Sequence, residues 1–257
     1  MKKLLSICLI AVLLCSCDSS HRRLTGYNIK LWKGTPAWSL AKAVQHNDTL
    51  EVNRILGKGR VSIDFREPTY GQNLLCWAIL NNKIETVRFL LSKGSDPNLH
   101  DCFNGESPVT LSCDFGVDIE ILRLLLDYGG NPNDHATVED SITYMRSDRT
   151  PLYCAAGSSL EKTKMLLDAG ADVNMALVKG DTPLRSALLG NRFDVILYLL
   201  TECGVDPSDT FVVTMRGDTL QFIDLLNDSH YLETEENTSN VRRIREFVRN
   251  KMDNRLD

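Results

Sequence analysis

Apolar residues fall into short phrases that recur along the chain. Asn73-Leu-Leu-Cys-Trp-Ala78, Ser107-Pro-Val-Thr-Leu-Ser112, Thr150-Pro-Leu-Tyr-Cys-Ala155 and Thr182-Pro-Leu-Arg-Ser-Ala187 are versions of one pattern. Each is followed by an amphipathic run that ends in paired leucines and a glycine: Val87 to Leu91 then Gly94, Ile121 to Leu126 then Gly129, Lys164 to Leu167 then Gly170, Val195 to Leu200 then Gly204. A third element recurs behind the glycine as Asp96-Pro-Asn98, Asn131-Pro-Asn133, Asp172-Val-Asn174 and Asp206-Pro-Ser208. Two helices and a loop per unit follow from this. Ser or Thr caps a helix start, Pro is tolerated in the first helical turn, Gly ends a helix in a left-handed conformation, and Asp-Pro-Asn turns the chain. The spacing is 34 residues from Leu75 to Val109, 43 from there to Leu152 and 32 on to Leu184, so one interval carries an insertion, about Asp134 to Asp148.

The flanks follow the same periodicity less faithfully. Leu40 to Ala43, then Thr49 to Val52 with Ile55 and Leu56, predicts a first helix pair without the Thr-Pro entry, as a terminal repeat with a polar outer face would have. Phe211 to Thr214 and Leu220 to Leu226 predict a degenerate sixth repeat. Val241, Ile244, Phe247, Val248 and Met252 share one face at helical spacing and predict a terminal helix over roughly 236–253. Its polar face carries Arg242, Arg243, Arg245, Arg249 and Lys251 against Glu246 and Asp253, which predicts a solvated basic face on a helix that closes the stack, with a basic helix for a membrane or a partner as the alternative. Asp18 to about Pro36 has little periodicity and is expected to be a tether.

The repeating phrase resembles the ankyrin repeat, whose consensus runs Gly-x-Thr-Pro-Leu-His-x-Ala-Ala, then Val-x-x-Leu-Leu, then Gly-Ala-Asp-x-Asn. The strongest copies are Thr150 to Asn174 and Gly180 to Pro207, and the likeness covers about residues 38 to 228. The resemblance implies an all-α ankyrin-repeat solenoid of helix-turn-helix units with finger loops. About five to six repeats including degenerate caps are expected, plus a C-terminal helix. Where the family has a His that ties the loop together, this chain has Cys76, Thr110, Tyr153 and Arg185, so a different loop network is expected.

The first residues read differently from the rest. Lys2 and Lys3 precede an apolar run from Leu4 to Leu14, too short for a membrane-crossing helix of about 20 residues and typical of a secretory signal. Leu14-Cys15-Ser16-Cys17 resembles the bacterial lipobox, which implies cleavage before Cys17 and acylation of that cysteine; Cys15 is a departure from the usual middle position. The expected division is a lipoprotein signal peptide over 1–16, a tether over 17–36, an ankyrin-repeat domain over 37–230 with its insertion at about 134–148, and a C-terminal capping helix over 231–257. The expected location is the bacterial cell envelope, with the chain lipid-anchored to the inner or outer membrane on its periplasmic or surface face.

The 43% hydrophobic and 25% charged residues supply a core and exclude a disordered chain. A net charge of −5 argues against nucleic acid, whose binding comes mostly from basic residues on phosphates. Of eight cysteines, Cys8 and Cys15 leave with the signal and Cys17 is the lipid site. The remaining five, an odd number, read mostly as small buried apolar residues. No catalytic constellation is visible: His21, His46, His100, His135 and His230 recur with no carboxylate or thiol in register. His100, Cys102 and Cys113 lack a fourth zinc ligand. The recurring Asp96, Asp172 and Asp206 are turn residues rather than a calcium ladder, and Trp77 reads as core.

What remains is surface. No enzyme, no cofactor and no metal site are expected, and the predicted role is a monomeric module that binds a protein, inhibiting or protecting it, through loop tips and outward helix positions. By the resemblance these are Tyr70, Gln72, Phe103, Asn104, Glu106, Phe115, Arg146, Arg149, Lys179 and Asp181. A passive structural lipoprotein of the envelope is the alternative, and a hydrolase or metal site hidden in the insertion or the C-terminal region is the remaining one.

Overall fold

A computed structural model describes residues 27–102, 104–136, 149–175, 181–213, 218–228 and 235–253. Its helices come in antiparallel pairs: α1 (Trp38–Gln45) with α2 (Thr49–Leu56), α3 (Leu74–Leu80) with α4 (Ile84–Ser92), α5 (Pro108–Ser112) with α6 (Ile119–Asp127), α7 (Pro151–Ala156) with α8 (Leu160–Asp168), and α9 (Pro183–Leu189) with α10 (Phe193–Thr201). Successive pairs stack. The first helices form one layer, α3 on α5 on α7 on α9, and the second helices another, α4 on α6 on α8 on α10. Neither layer could bury its apolar face alone, which is why the repeat must be stacked to be stable.

The caps are those the phrase dictates. Asn73, Ser107, Thr150 and Thr182 each accept the amide three residues on, at 2.9, 3.3, 3.1 and 3.2 Å. Pro108, Pro151 and Pro183 stand in the first turn. Gly94, Gly129, Gly170 and Gly204 close the second helices with φ of +85°, +87°, +90° and +68°, where a side chain would be strained. The Asp-x-Asn turns are held as Asx turns, with Asp96, Asn131, Asp172 and Asp206 accepting the amides of Asn98, Asn133, Asn174 and Ser208 at 2.8 to 3.0 Å.

Beyond α10 the chain departs from the expected pair of elements. β1 (Phe211–Val213) and β2 (Thr219–Gln221) pair antiparallel, with Phe211 opposite Gln221, so Leu220 belongs to a strand. α11 (Phe222–Asp228) then takes the first-helix place against α9, and α12 (Glu235–Asp253) takes the second-helix place against α10. The sixth unit is thus a hairpin, an inner helix and a long outer helix. Val241, Ile244 and Val248 of α12 are buried, with Phe247 packed beside them.

At the other end, part of the stretch expected as a tether over 17–36 is folded. Ile29–Trp32 forms a 3-10 turn packed on α1, Trp32 is fully buried, and the Trp77 indole donates to the Tyr27 carbonyl at 3.1 Å. Leu24, Tyr27, Ile29, Leu31 and Trp32 are too few and too irregularly spaced to show a period. Residues 1–26 lie outside the described residues, as does the expected lipid site Cys17. Among the described residues no helix is long and apolar enough to cross a membrane.

Candidate protein-binding surface

Between repeats the chain forms loops closed by one backbone hydrogen bond at equivalent positions. The Glu67 amide donates to the Gln72 carbonyl at 2.9 Å, Asp101 to Glu106 at 2.9 Å, and Ala136 to Arg149 at 3.0 Å. The first two bonds enclose 68–71 and 102–105; the third encloses 137–148, so the extra residues of the insertion fall between ordinary base positions. Residues 137–148 lie outside the described residues, so of the expected 134–148 insertion only Asp134 to Ala136 are placed.

Buried carboxylates shape the tips. Glu67 accepts the amides of Thr69, Tyr70 and Gln72 at 2.7, 2.6 and 3.3 Å, and Asp101 accepts that of Asn104 at 2.9 Å. Neighbouring tips are joined: the Cys102 amide donates to the Tyr70 carbonyl at 3.0 Å. His100 Nε2 lies 2.9 Å from Asp134 Oδ1, and Thr110 donates to the other oxygen at 3.4 Å. That bond to Asp134 raises the His100 pKa against the opposing pull of burial. Burial works to raise the Asp134 pKa, but its bonds from His100 and Ser107 leave the carboxyl below its usual value. With Thr110 at the family's His position, Asp134 and His100 do the tying instead.

Farther in, Arg149 pairs with the buried Glu106 at 3.3 Å and with Asp114 at 3.4 Å, joining α5 to the entry of α7. Lys162 of α8 is buried and donates to the Ser112 and Asp114 carbonyls at 2.8 and 2.9 Å, where α5 ends. A cation there meets the negative end of a helix; burial lowers its pKa. At the opposite ends of the inner helices, the turns are also linked: Asn82 to Gly116, Ser158 to Cys113 and Arg192 to Ser158, at 2.7, 2.7 and 3.0 Å.

The residues expected to face a partner divide accordingly. Gln72, Asn104 and Glu106 are buried and belong to the inside of the loops, which corrects their assignment as contact side chains. The Glu106 carboxylate pairs with Arg149, and Gln72 Oε1 is buried with no hydrogen-bond partner among the described residues. Arg149 is spent on its two ion pairs. Tyr70 is half-buried at its tip, and Asp181 is half-buried and paired with Arg185 at 2.8 Å. Phe115 is 73% exposed but stands in the turn after α5, not on the helix face. Phe103, Arg146 and Lys179 lie outside the described residues. Sequence reasoning misses Glu67, Asp101 and Asp134, which organise the loops, although Glu67 and Asp101 stand one 34-residue repeat apart and that spacing is their signal.

Trp77 is buried, and Cys76, Cys113 and Cys154 are buried thiols; burial pushes the Cys76 and Cys113 pKa values up. Cys113 donates to the Val109 carbonyl at 3.3 Å. Among the described residues no group of three or more His, Cys, Asp or Glu side chains is placed to hold a metal.

This stack of bonded loops on paired helices is an ankyrin architecture. The family model for ankyrin repeats matches the chain in three overlapping copies, over residues 40–136, 75–176 and 139–210, and the chain belongs to that family. Such repeats generally mediate protein–protein interaction and are typically non-enzymatic. The chain is similar to SH3 and multiple ankyrin repeat domains protein 1 of Mus musculus, 30% identical over 47% of this chain and 5% of that protein. It is also similar to ankyrin repeat and SOCS box protein 6 of Homo sapiens, 27% identical over 60% of this chain and 40% of that one. A bacterial relative, protein PhlB of Serratia liquefaciens, is 32% identical over 65% of this chain and 68% of its own. The matched stretch is thus a small part of the first relative and well under half of the second.

Proposed function

We propose that this chain is a lipoprotein of the bacterial envelope, acylated at Cys17, that captures a partner protein with its finger loops and so inhibits or shelters it. It acts as a monomer, on the inner or outer membrane. The observation that carries the capture is the row of loops bonded to one another, Tyr70 to Cys102 and His100 to Asp134, ending in the long tip enclosed by Ala136 and Arg149. A bonded row loses little freedom on binding, so more of its contact energy appears as affinity. Likeness to a bacterial protein supports reading Leu14-Cys15-Ser16-Cys17 by bacterial rules.

Two measurements test this. Growth of the bacterium with an alkyne fatty acid should label the wild-type chain and not Cys17→Ala; equal labelling would remove the anchor. Replacing 137–148 by Gly-Gly, with Asp134, Ala136 and Arg149 kept, should leave the melting midpoint unchanged and abolish stoichiometric copurification of the partner. A partner retained in full would exclude the long tip as the contact.

A further inference from the structure

The arginines of the repeat body and those of α12 are used differently. Arg54, Arg88, Arg123, Arg149, Arg185 and Arg192 each hold a carboxylate within 4.0 Å. Arg60 and Arg66, isolated from one another before the first loop, hold no carboxylate among the described residues, and Arg66 donates to Cys102 Sγ at 3.6 Å. On α12, by contrast, Arg242, Arg243 and Arg249 are exposed and hold no carboxylate among the described residues. Arg245 beside them bonds Asn227 at 3.2 Å, and Lys251 lies over the Phe247 ring. Between positions 242 and 251 there are five cations and one acid, Glu246, in a chain whose net charge is −5.

The face cannot turn away. Val241, Ile244 and Val248 are buried against α10 and the rest of the C-terminal core, which fixes the opposite side of α12 outward. We infer that the outer face of α12 is a docking strip for an acidic polypeptide segment, held by carboxylate–guanidinium pairs. Arginine suits this because its planar fork meets a carboxylate with two hydrogen bonds and sheds water more readily than an ammonium. An anionic membrane fits less well. Val241, Ile244 and Val248 are spent inside the fold and Phe247 packs beside them, so among the described side chains of α12 little remains to insert beside the headgroups, and the acidic body would be held against like charge. The strip lies on the outer layer, away from the loops, and does not depend on the finger-loop contact or the lipid.

The test uses the folded full-length chain and a fluorescein-labelled deca-glutamate peptide, followed by anisotropy at low and physiological salt. Wild type should bind with an affinity that falls steeply as salt rises. The triple variant Arg242→Glu, Arg243→Glu, Arg249→Glu should bind at least about tenfold more weakly with its melting midpoint unchanged, since none of the three is buried. A control with the same charge change, Lys33→Glu, Lys58→Glu, Arg60→Glu, should stay within about twofold of wild type. Equal loss in both variants would mean net charge alone matters and would overturn the strip. So would unchanged binding in the α12 variant, or α12-dependent binding to phosphatidylglycerol vesicles with none to the peptide.

Discussion

Single residues set the spacing between repeats. At the α7–α9 contact, a Cβ on Gly190 would collide with the carbonyl oxygen of Gly157, and one on Gly157 would press on Ser186. The two inner helices touch backbone to backbone there. Gly190→Ala should therefore cost about 2–3 kcal/mol in urea unfolding, as overpacking of a tight core does. Gly94→Ala has open space around its Cβ and pays only for a φ of +85°, about 1 kcal/mol. Equal losses would show that the close approach is not real. The His100–Asp134 pair adds a pH dependence. His100 has a pKa raised above its ordinary 6.5, so its contribution is whole below that value and is lost as pH rises through the raised one. Asp134 lies below its ordinary 3.8, so its share is present above that value and fades as pH falls through the lowered one. Between these limits, His100→Gln should cost about 0.5–1 kcal/mol near pH 5.5 and close to nothing near pH 9. A pH-independent difference in urea midpoint would refute the ion pair.

At the level of elements, the repeats were legible and the joints between them less so. Thr150, Pro151, Gly170 and Asn174 each report a local backbone need, so a phrase built from them can be read without the fold. The elements that escaped are those whose reason is tertiary. Trp32 is buried only because α1 lies beneath the Ile29–Trp32 turn. Leu220 looked helical because its strand is three residues long and shares its apolar content with α11. Gln72, Asn104 and Glu106 fall at outward positions by the resemblance, and the loops bury them. α12 was visible by periodicity, but not that it completes the outer layer. Because Ile244 is fully buried against that layer, Ile244→Ala should cost about 2–4 kcal/mol. Arg243→Ala, on the solvent side, should stay within about 0.5 kcal/mol. Comparable losses would mean that α12 is packed the other way round.

Over the whole molecule the core is divided. Buried apolar residues from Ile29 to Leu166 form one cluster and those from Ala156 to Val248 a second, smaller one, with Leu167 and Val173 touching both. The two clusters meet at a seam between α7 and α9, where Gly157 and Gly190 bring the inner helices into close backbone approach and Leu160, Leu167 and Val173 pack across. A stack whose stability is a sum of unit and neighbour terms opens first where those terms are smallest, and the smaller cluster also carries the hairpin and the end of the stack. α9 to α12 should therefore exchange their amide hydrogens at lower urea than α3 to α6, by sub-global opening. Gly190→Ala should widen that gap because it strains the seam itself. Truncation before α12 removes the helix packed along α10, and should bring α9 and α10 close to the exchange of a free chain while α3 to α6 keep theirs. Hydrogen exchange by mass spectrometry across a urea series reads all three; a single uniform transition in wild type and variants would mean that the two clusters unfold as one.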